Sequence, residues 1–284
     1  MLKFQQYAGA VIAPLILACS PVSTPGAPPQ LTSAPDVKIV NGKWFDGSRF
    51  VERTMYMSHG VFVAKPRSEP DSVIDVKGGY VVAPFAEAHN HNFDASSEQR
   101  ARTLIEKYVK DGVFYGQNPA NVLRARQGLA PYINIPTSID VTFSNAVLTG
   151  PGGHPIGLFL RNLGREAMFA TDTNTAAGFM WIIRDRNDLA ARWPTILSSN
   201  PDFIKVILAY SDQYEKRLTD SSTFNWRGID PKLLPDIVLR AHAAGKRVMA
   251  HVESAADFHN ALASGVDIIG HTPGFRGNEQ TQLP

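Results

Sequence analysis

Residues 230–271 read DPKLLPDIVLRAHAAGKRVMAHVESAADFHNALASGVDIIGH, and their rhythm decides the fold. Asp230 followed by Pro231 is a helix start: a side-chain acceptor, then a residue with no N–H left to satisfy. Leu234, Ile237, Val238 and Ala241 recur at helical spacing and make one apolar stripe, which Gly245 ends. Arg247–His251 is then a short apolar strand. Ser254–Ser264 reads as a second helix, stopped by Gly265, and Val266–His271 as a second strand. Apolar strands alternating with amphipathic helices argue a parallel sheet covered by helices.

Working outward, the alternation continues back to about residue 95. Ser96–Lys110 reads as a helix, Val113–Tyr115 as a strand and Asn121–Gly128 as a helix. Val141–Leu148 reads as one apolar strand, Asn187–Leu197 as a helix disturbed by Pro194, and Phe203–Ala209 as a strand with a lysine inside it. From Val37 to Pro84 the pattern changes to short β runs separated by Gly-containing turns, at Asn41-Gly42 and at His59-Gly60. That spacing predicts hairpins in a small sheet.

The first residues read differently again. One early lysine, Lys3, precedes an apolar stretch from Ala8 to Ala18 that is too short to span a bilayer. Ile16-Leu17-Ala18-Cys19 resembles the lipobox of bacterial lipoproteins, which implies a signal peptide over 1–19, lipidation of Cys19 and export to the cell envelope. Ser20 after the cysteine goes with outer-membrane sorting in Gram-negative lipoproteins. The plainer reading is an ordinary signal peptide with a chance cysteine. Residues 20–36 hold five prolines among Ser, Thr and Gly and predict an extended tether to a membrane. With 28 basic and 26 acidic residues interspersed, the chain has no basic stripe, which argues against nucleic acid as a partner. A single cysteine excludes an internal disulfide framework.

Candidate chemistry sits at the strand ends. His89 and His91 are two apart, and on a strand such side chains share a face, so both imidazoles can reach one metal ion. Lys205 lies within Phe-Ile-Lys-Val-Ile-Leu. A buried ammonium is costly, so this lysine has an acidic partner, lies on an exposed edge, or is kept neutral by burial. A neutral amine takes up carbon dioxide as a carbamate that bridges two metals. His251 and His271 close two successive strands. Ligands drawn from the ends of several strands are how a β/α barrel builds a catalytic centre.

Together these stretches resemble the amidohydrolase superfamily, in its imidazolonepropionase-like and prolidase-like branch. Val73–His91 resembles the family's opening motif into the barrel, Asp202-Phe-Ile-Lys205 its bridging-lysine strand, and Ala241–His251 and Ala263–His271 the strands carrying its second histidine pair. The resemblance runs from about Val37 to the C terminus. It implies an α/β fold: an incomplete TIM-type (β/α)8 barrel over 85–284, preceded by the N-terminal portion of a β-sandwich over 37–84. It implies two divalent metal ions, zinc in the first instance, bound by His89 and His91 and by His251 and His271, with carbamylated Lys205 between them. The implied reaction is hydrolysis of an amide, cyclic amide or peptide bond in a small molecule or short peptide. His154, in the turn Gly150–His154, stands where the family's histidine touches the substrate carbonyl; a glycine-rich structural turn is the alternative. Tyr210 is placed to donate to an oxyanion, or serves structure alone.

The sequence departs from the family in three places. Phe85 follows Pro84 where Gly is usual, and Glu87 stands where Asp is commoner. The catalytic Asp of the final strand belongs beyond His271 and is expected past Pro284, so the sequence reads as a fragment lacking its last barrel strands. Two other readings follow from the same residues: a one-metal, deaminase-like hydrolase of the superfamily, and a non-catalytic surface lipoprotein on the same scaffold.

Overall fold

The computed structural model describes residues 35–66, 68–157 and 178–273. The expected signal peptide, Cys19 and nearly all of the expected tether therefore lie outside the described residues. The chain divides into two compact units, ending and beginning at Val81 and Val82.

In the first unit β1 (Val37–Phe45) is central. It pairs antiparallel with β2 (Phe50–Ser58), which pairs antiparallel with β3 (Val61–Val63). The other edge of β1 pairs parallel with β4 (Ser72–Asp75) and β5 (Tyr80–Val81). The β1–β2 turn is held by Asp46, whose carboxylate accepts from the backbone N–H groups of Ser48 and Arg49. Asn41-Gly42 is not the turn expected. It lies inside β1, where Asn41 takes a left-handed φ of 57° and the register to β2 slips between Ile39 and Gly42, which makes it a bulge. Among the described residues the unit is one mixed sheet, with no facing sheet to make a sandwich.

The second unit is mixed α/β with two parallel sheets. β6 (Phe85–Glu87), β7 (Val113–Asn118) and β8 (Asp140–Phe143) form one. The other runs in the order β10 (Met180–Ile182), β9 (Val147–Thr149), β11 (Ile204–Ile207), β12 (Val248–His251), β13 (Ile268–Ile269). Among the described residues these strands do not close into a ring, so the barrel expectation is met only as parallel sheets. The strand expected over Val141–Leu148 is two strands in two sheets. Asn145 breaks it with a φ of 57°, and its side-chain amide donates to the Ser199 carbonyl at 2.8 Å. Hydrophobicity continues through the break because both sides are buried, so periodicity alone does not reveal it.

Helices form where caps and stripes coincide. Ser97 caps Glu98–Lys110 and Asp185 caps Arg186–Ser198, each side chain accepting from the backbone N–H three residues on. Asp230 accepts from Lys232 N at the start of a 3-10 turn, Pro231–Leu233, that runs on into the helix Leu234–Ala243. Ser254 and Asp257 form a reciprocal capping box for Ala255–Ala263. Ile237, Val238 and Ala241 of one helix and Ala261 of the next pack on Val206, Val248 and Ala250 of the strands. This burial fixes β11, β12 and β13 side by side, and their C-terminal ends carry the polar groups described next.

Candidate functional site

Lys205 is the second residue of β11 and is 2% exposed, flanked by fully buried Ile204 and Val206. Its Nζ has no hydrogen-bond partner among the described residues. Burial pulls its pKa down to about 7, so near neutral pH a large share of this amine is uncharged. Among the described residues no acidic partner compensates it, and its burial rules out the exposed-edge reading. Gly270, just after β13, makes room for it. A Cβ there would come within 2.7 Å of Lys205 Nζ and 3.4 Å of His89 Nδ1. Lysine and histidine thus both pack over a bare Cα.

His89 and His91 follow β6 rather than lying in it, in an irregular segment. Strand alternation therefore does not place them, yet their Nε2 atoms meet at 3.2 Å. Backbone carbonyls turn the rings: His89 Nδ1 lies 2.8 Å from Gly270 O, and His91 Nδ1 lies 3.3 Å from Ala120 O. His251 is the last residue of β12, and His271 lies two residues past β13. His271 Nε2 lies 2.7 Å from His251 Nδ1. Their outer nitrogens are also held: His251 Nε2 by the Glu253 carboxylate at 3.1 Å, and His271 Nδ1 by Thr272 O at 3.2 Å. The His89 and His271 rings lie 5.6 Å apart, which joins the two pairs.

These contacts assign tautomers. A ring nitrogen facing a carbonyl or carboxylate carries the proton, so the other nitrogen of a neutral imidazole is a bare lone pair. In each pair, two lone pairs then point at one another. Such a contact is repulsive unless a proton or a metal cation lies between. Protons are disfavoured here. Burial, then the Lys205 charge, lowers the pKa of His89 to about 4. Burial is also the leading cause of the lowered values at His91 and His251. The residues present fit a metal on this ground. Two nitrogens bound to one tetrahedral zinc stand roughly 3.3 Å apart, close to the His89–His91 separation; His251 and His271 are drawn in closer. Among the described residues no three His, Cys, Asp or Glu side chains gather into one metal-holding group. The Lys205 amine acts electrostatically on His89, His91 and His251, and so on members of both pairs.

His154 reaches the same place from the turn after β9. Its ring stacks on His251, centroids 4.8 Å apart and planes 22° apart, and its backbone N–H is held by Arg227 O. Burial, followed by the His251 charge, lowers its pKa to about 4. Tyr210 follows β11 with a φ of 52°; its N–H donates to Asp257, and the Arg217 guanidinium lies 3.7 Å over its ring. Sequence reasoning missed Glu253, Asp257 and Gly270. For Glu253 a signal existed, since it stands two residues after His251 just as His91 follows His89.

No protein-family model matches the sequence, and no curated protein matches it. Solved structures do resemble it. One is the ochratoxinase of A. niger, with a TM-score of 0.60 and 16% identity, covering 82% of this chain and 60% of that one. Another is a Xaa-Pro dipeptidase with bound methionine in its active site, at 0.60 and 14%, covering 82% and 60%. A third is a prolidase complexed with N-methylphosphonate-L-proline, at 0.58 and 16%, covering 81% and 59%. The chain spans about 60% of the length of these structures. At such identity the likeness concerns architecture: the described part of this chain has the fold seen in solved amidohydrolases and prolidases.

Proposed function

We propose that this chain carries the metal centre of a hydrolase that cuts carbon–nitrogen bonds in amides, cyclic amides or short peptides. The observation that carries the reading is the pair of imidazole contacts at 3.2 and 2.7 Å, each with its outer nitrogens already engaged, beside the buried amine of Lys205, which has no partner among the described residues. The names of the similar structures, a prolidase and a Xaa-Pro dipeptidase among them, favour this bond class.

In this reading His89 and His91 would hold one divalent ion through Nε2, and His251 Nδ1 and His271 Nε2 would hold a second. When bound, such ions, zinc in our reading, polarise a carbonyl and make water acidic enough to act as a nucleophile near neutral pH. The chain's own residues prepare that setting. Lys205 keeps an unprotonated fraction at neutral pH, so its nitrogen lone pair can attack carbon dioxide; the N–H proton leaves to solvent and a carbamate anion results. That anion would turn a neutral amine into a carboxylate-like ligand that could supply oxygen to the metals. His154, stacked on His251 with its pKa lowered by burial, would orient a substrate carbonyl in this reading. The apolar walls of β9, β11 and β12 keep water away from the back of the site.

Metal analysis on purified protein loaded with zinc and bicarbonate tests this, together with hydrolysis of Xaa-Pro dipeptides and N-acyl amino acids. Two equivalents of metal and a carbamate carbon-13 signal that vanishes in Lys205→Ala are expected. Full metal content and unchanged hydrolysis in His251→Ala overturns the assignment.

A further inference from the structure

His251 differs from the other three histidines in what holds it. His89, His91 and His271 rest their outer nitrogens on backbone carbonyls, whereas His251 rests its Nε2 on a side chain, Glu253. It also differs in what it presents: Nδ1 faces the partner ring rather than Nε2. We propose that Glu253 is a positioning residue that selects Nδ1 of His251 as the metal-binding nitrogen, and that Asp257 holds Glu253 in place for this task. The proposal rests on the metal-site reading above.

The geometry runs in one chain of contacts. Asp257 is fully buried on the first turn of the helix Ala255–Ala263. Its carboxylate accepts from the backbone N–H groups of Glu253 at 3.0 Å and Ser254 at 2.9 Å. It also accepts from Tyr210 N, Ser211 N and the Ser211 hydroxyl. One carboxylate therefore ties the segment following Lys205's strand to the segment following His251's strand. With its backbone pinned, Glu253 has little freedom in where its carboxylate points. Residues 251 and 253 lie two apart at a strand end, so their side chains lean the same way and meet at 3.1 Å. The carboxylate fixes the proton on Nε2 and leaves Nδ1 bare. Without that acceptor the Nδ1–H tautomer becomes available, and its proton would occupy the place a metal needs. A supporting carboxylate of this kind typically alters metal affinity about 10–100-fold.

Two measurements on the full chain test this. The first is the nitrogen-15 spectrum of metal-free protein labelled at histidine, which distinguishes the two tautomers; the His251 signals are identified by their loss in His251→Asn. Wild type and Glu253→Gln, whose amide oxygen still accepts, are expected to show Nε2–H at His251. Glu253→Ala is expected to show Nδ1–H or a mixture. The second is zinc or cobalt binding by equilibrium dialysis. Glu253→Ala is expected to weaken one of two equivalents roughly 10–100-fold, with the other unchanged and Glu253→Gln within a few-fold of wild type. An unchanged His251 tautomer in Glu253→Ala, or wild-type affinity at both equivalents, overturns the proposal. Wild-type protein that takes up no metal overturns the proposed function instead, and the tautomer measurement still decides the role of Glu253.

Discussion

The two histidine pairs satisfy one requirement by different means. At His89 and His91 the outer nitrogens rest on Gly270 O and Ala120 O, atoms no side-chain substitution removes. That pair is oriented by the fold itself. At His251 the outer nitrogen rests on Glu253, which rests in turn on Asp257. That half of the second pair is oriented by two side chains and is open to single substitutions. The first pair should thus tolerate changes outside its own residues, whereas the second should be lost through residues that never touch a metal.

The largest expected effect breaks the comparison if it fails. His89→Ala and His251→Ala should each remove one metal equivalent, with affinity falling by more than the roughly 10–100-fold that loss of a supporting residue costs. Equilibrium dialysis with elemental analysis reads this. Loss of both equivalents together in either variant would mean that the four imidazoles form a single site.

Next in size is Asp257→Asn. The carboxylate accepts five hydrogen bonds, from four backbone N–H groups and one hydroxyl. An amide offers one oxygen, and its NH2 must face donors. Unpaired buried N–H groups should cost about 3 kcal/mol, read as a shift in urea midpoint at constant m-value. A loss below about 1 kcal/mol would mean that the helix start repacks without this clamp.

Lys205→Met should act in the opposite direction. The substitution fills similar space without a polar atom, so relieving an unsatisfied buried group should stabilise the metal-free protein by about 1–3 kcal/mol. Hydrolysis and uptake of metal should fail in the same variant. Stability and function then part company at this residue, as expected where a site carries a local conflict that the surrounding core over-determines. A destabilised Lys205→Met would mean that the amine has a favourable role in the metal-free fold.

Much of this was legible in the sequence because the signals were local. Apolar strands ended by His251 and His271, helices with caps and glycine stops, and Lys205 inside an apolar run each announce themselves within about ten residues. Three things were not legible. Left-handed Asn145 divides a continuous apolar run, and only pairing with different neighbours shows it. His89 and His91 converge although no strand carries them, since the carbonyls that turn them come from residues 270 and 120, far along the chain. Asp257 looks in the sequence like an ordinary capping residue; that it also binds Tyr210 and Ser211 depends on two strands lying side by side.

The smallest effect is the response of metal-free stability to pH, and the pH window in which stability changes distinguishes the histidines from the lysine. His89 and His154 have pKa values of about 4 in the fold against an ordinary 6.5. Between these limits the unfolded chain binds more protons than the native one, so stability rises with pH through that window and is lost as pH falls from 6.5 towards 4. Lys205 titrates near 7 in the fold against 10.5 ordinarily, so the same reasoning gives a second rise between those values. Urea midpoints measured from pH 4 to 10 should therefore climb in two limbs. Lys205→Met should flatten the alkaline limb and largely spare the acid one. His89→Asn should weaken the acid limb and leave the alkaline one, whereas Glu253→Gln should steepen the acid limb, because that carboxylate favours protonation of the buried His251. An alkaline limb that survives Lys205→Met would show that the amine is charged in the native state, and the carbamate proposed for it would lose its physical basis.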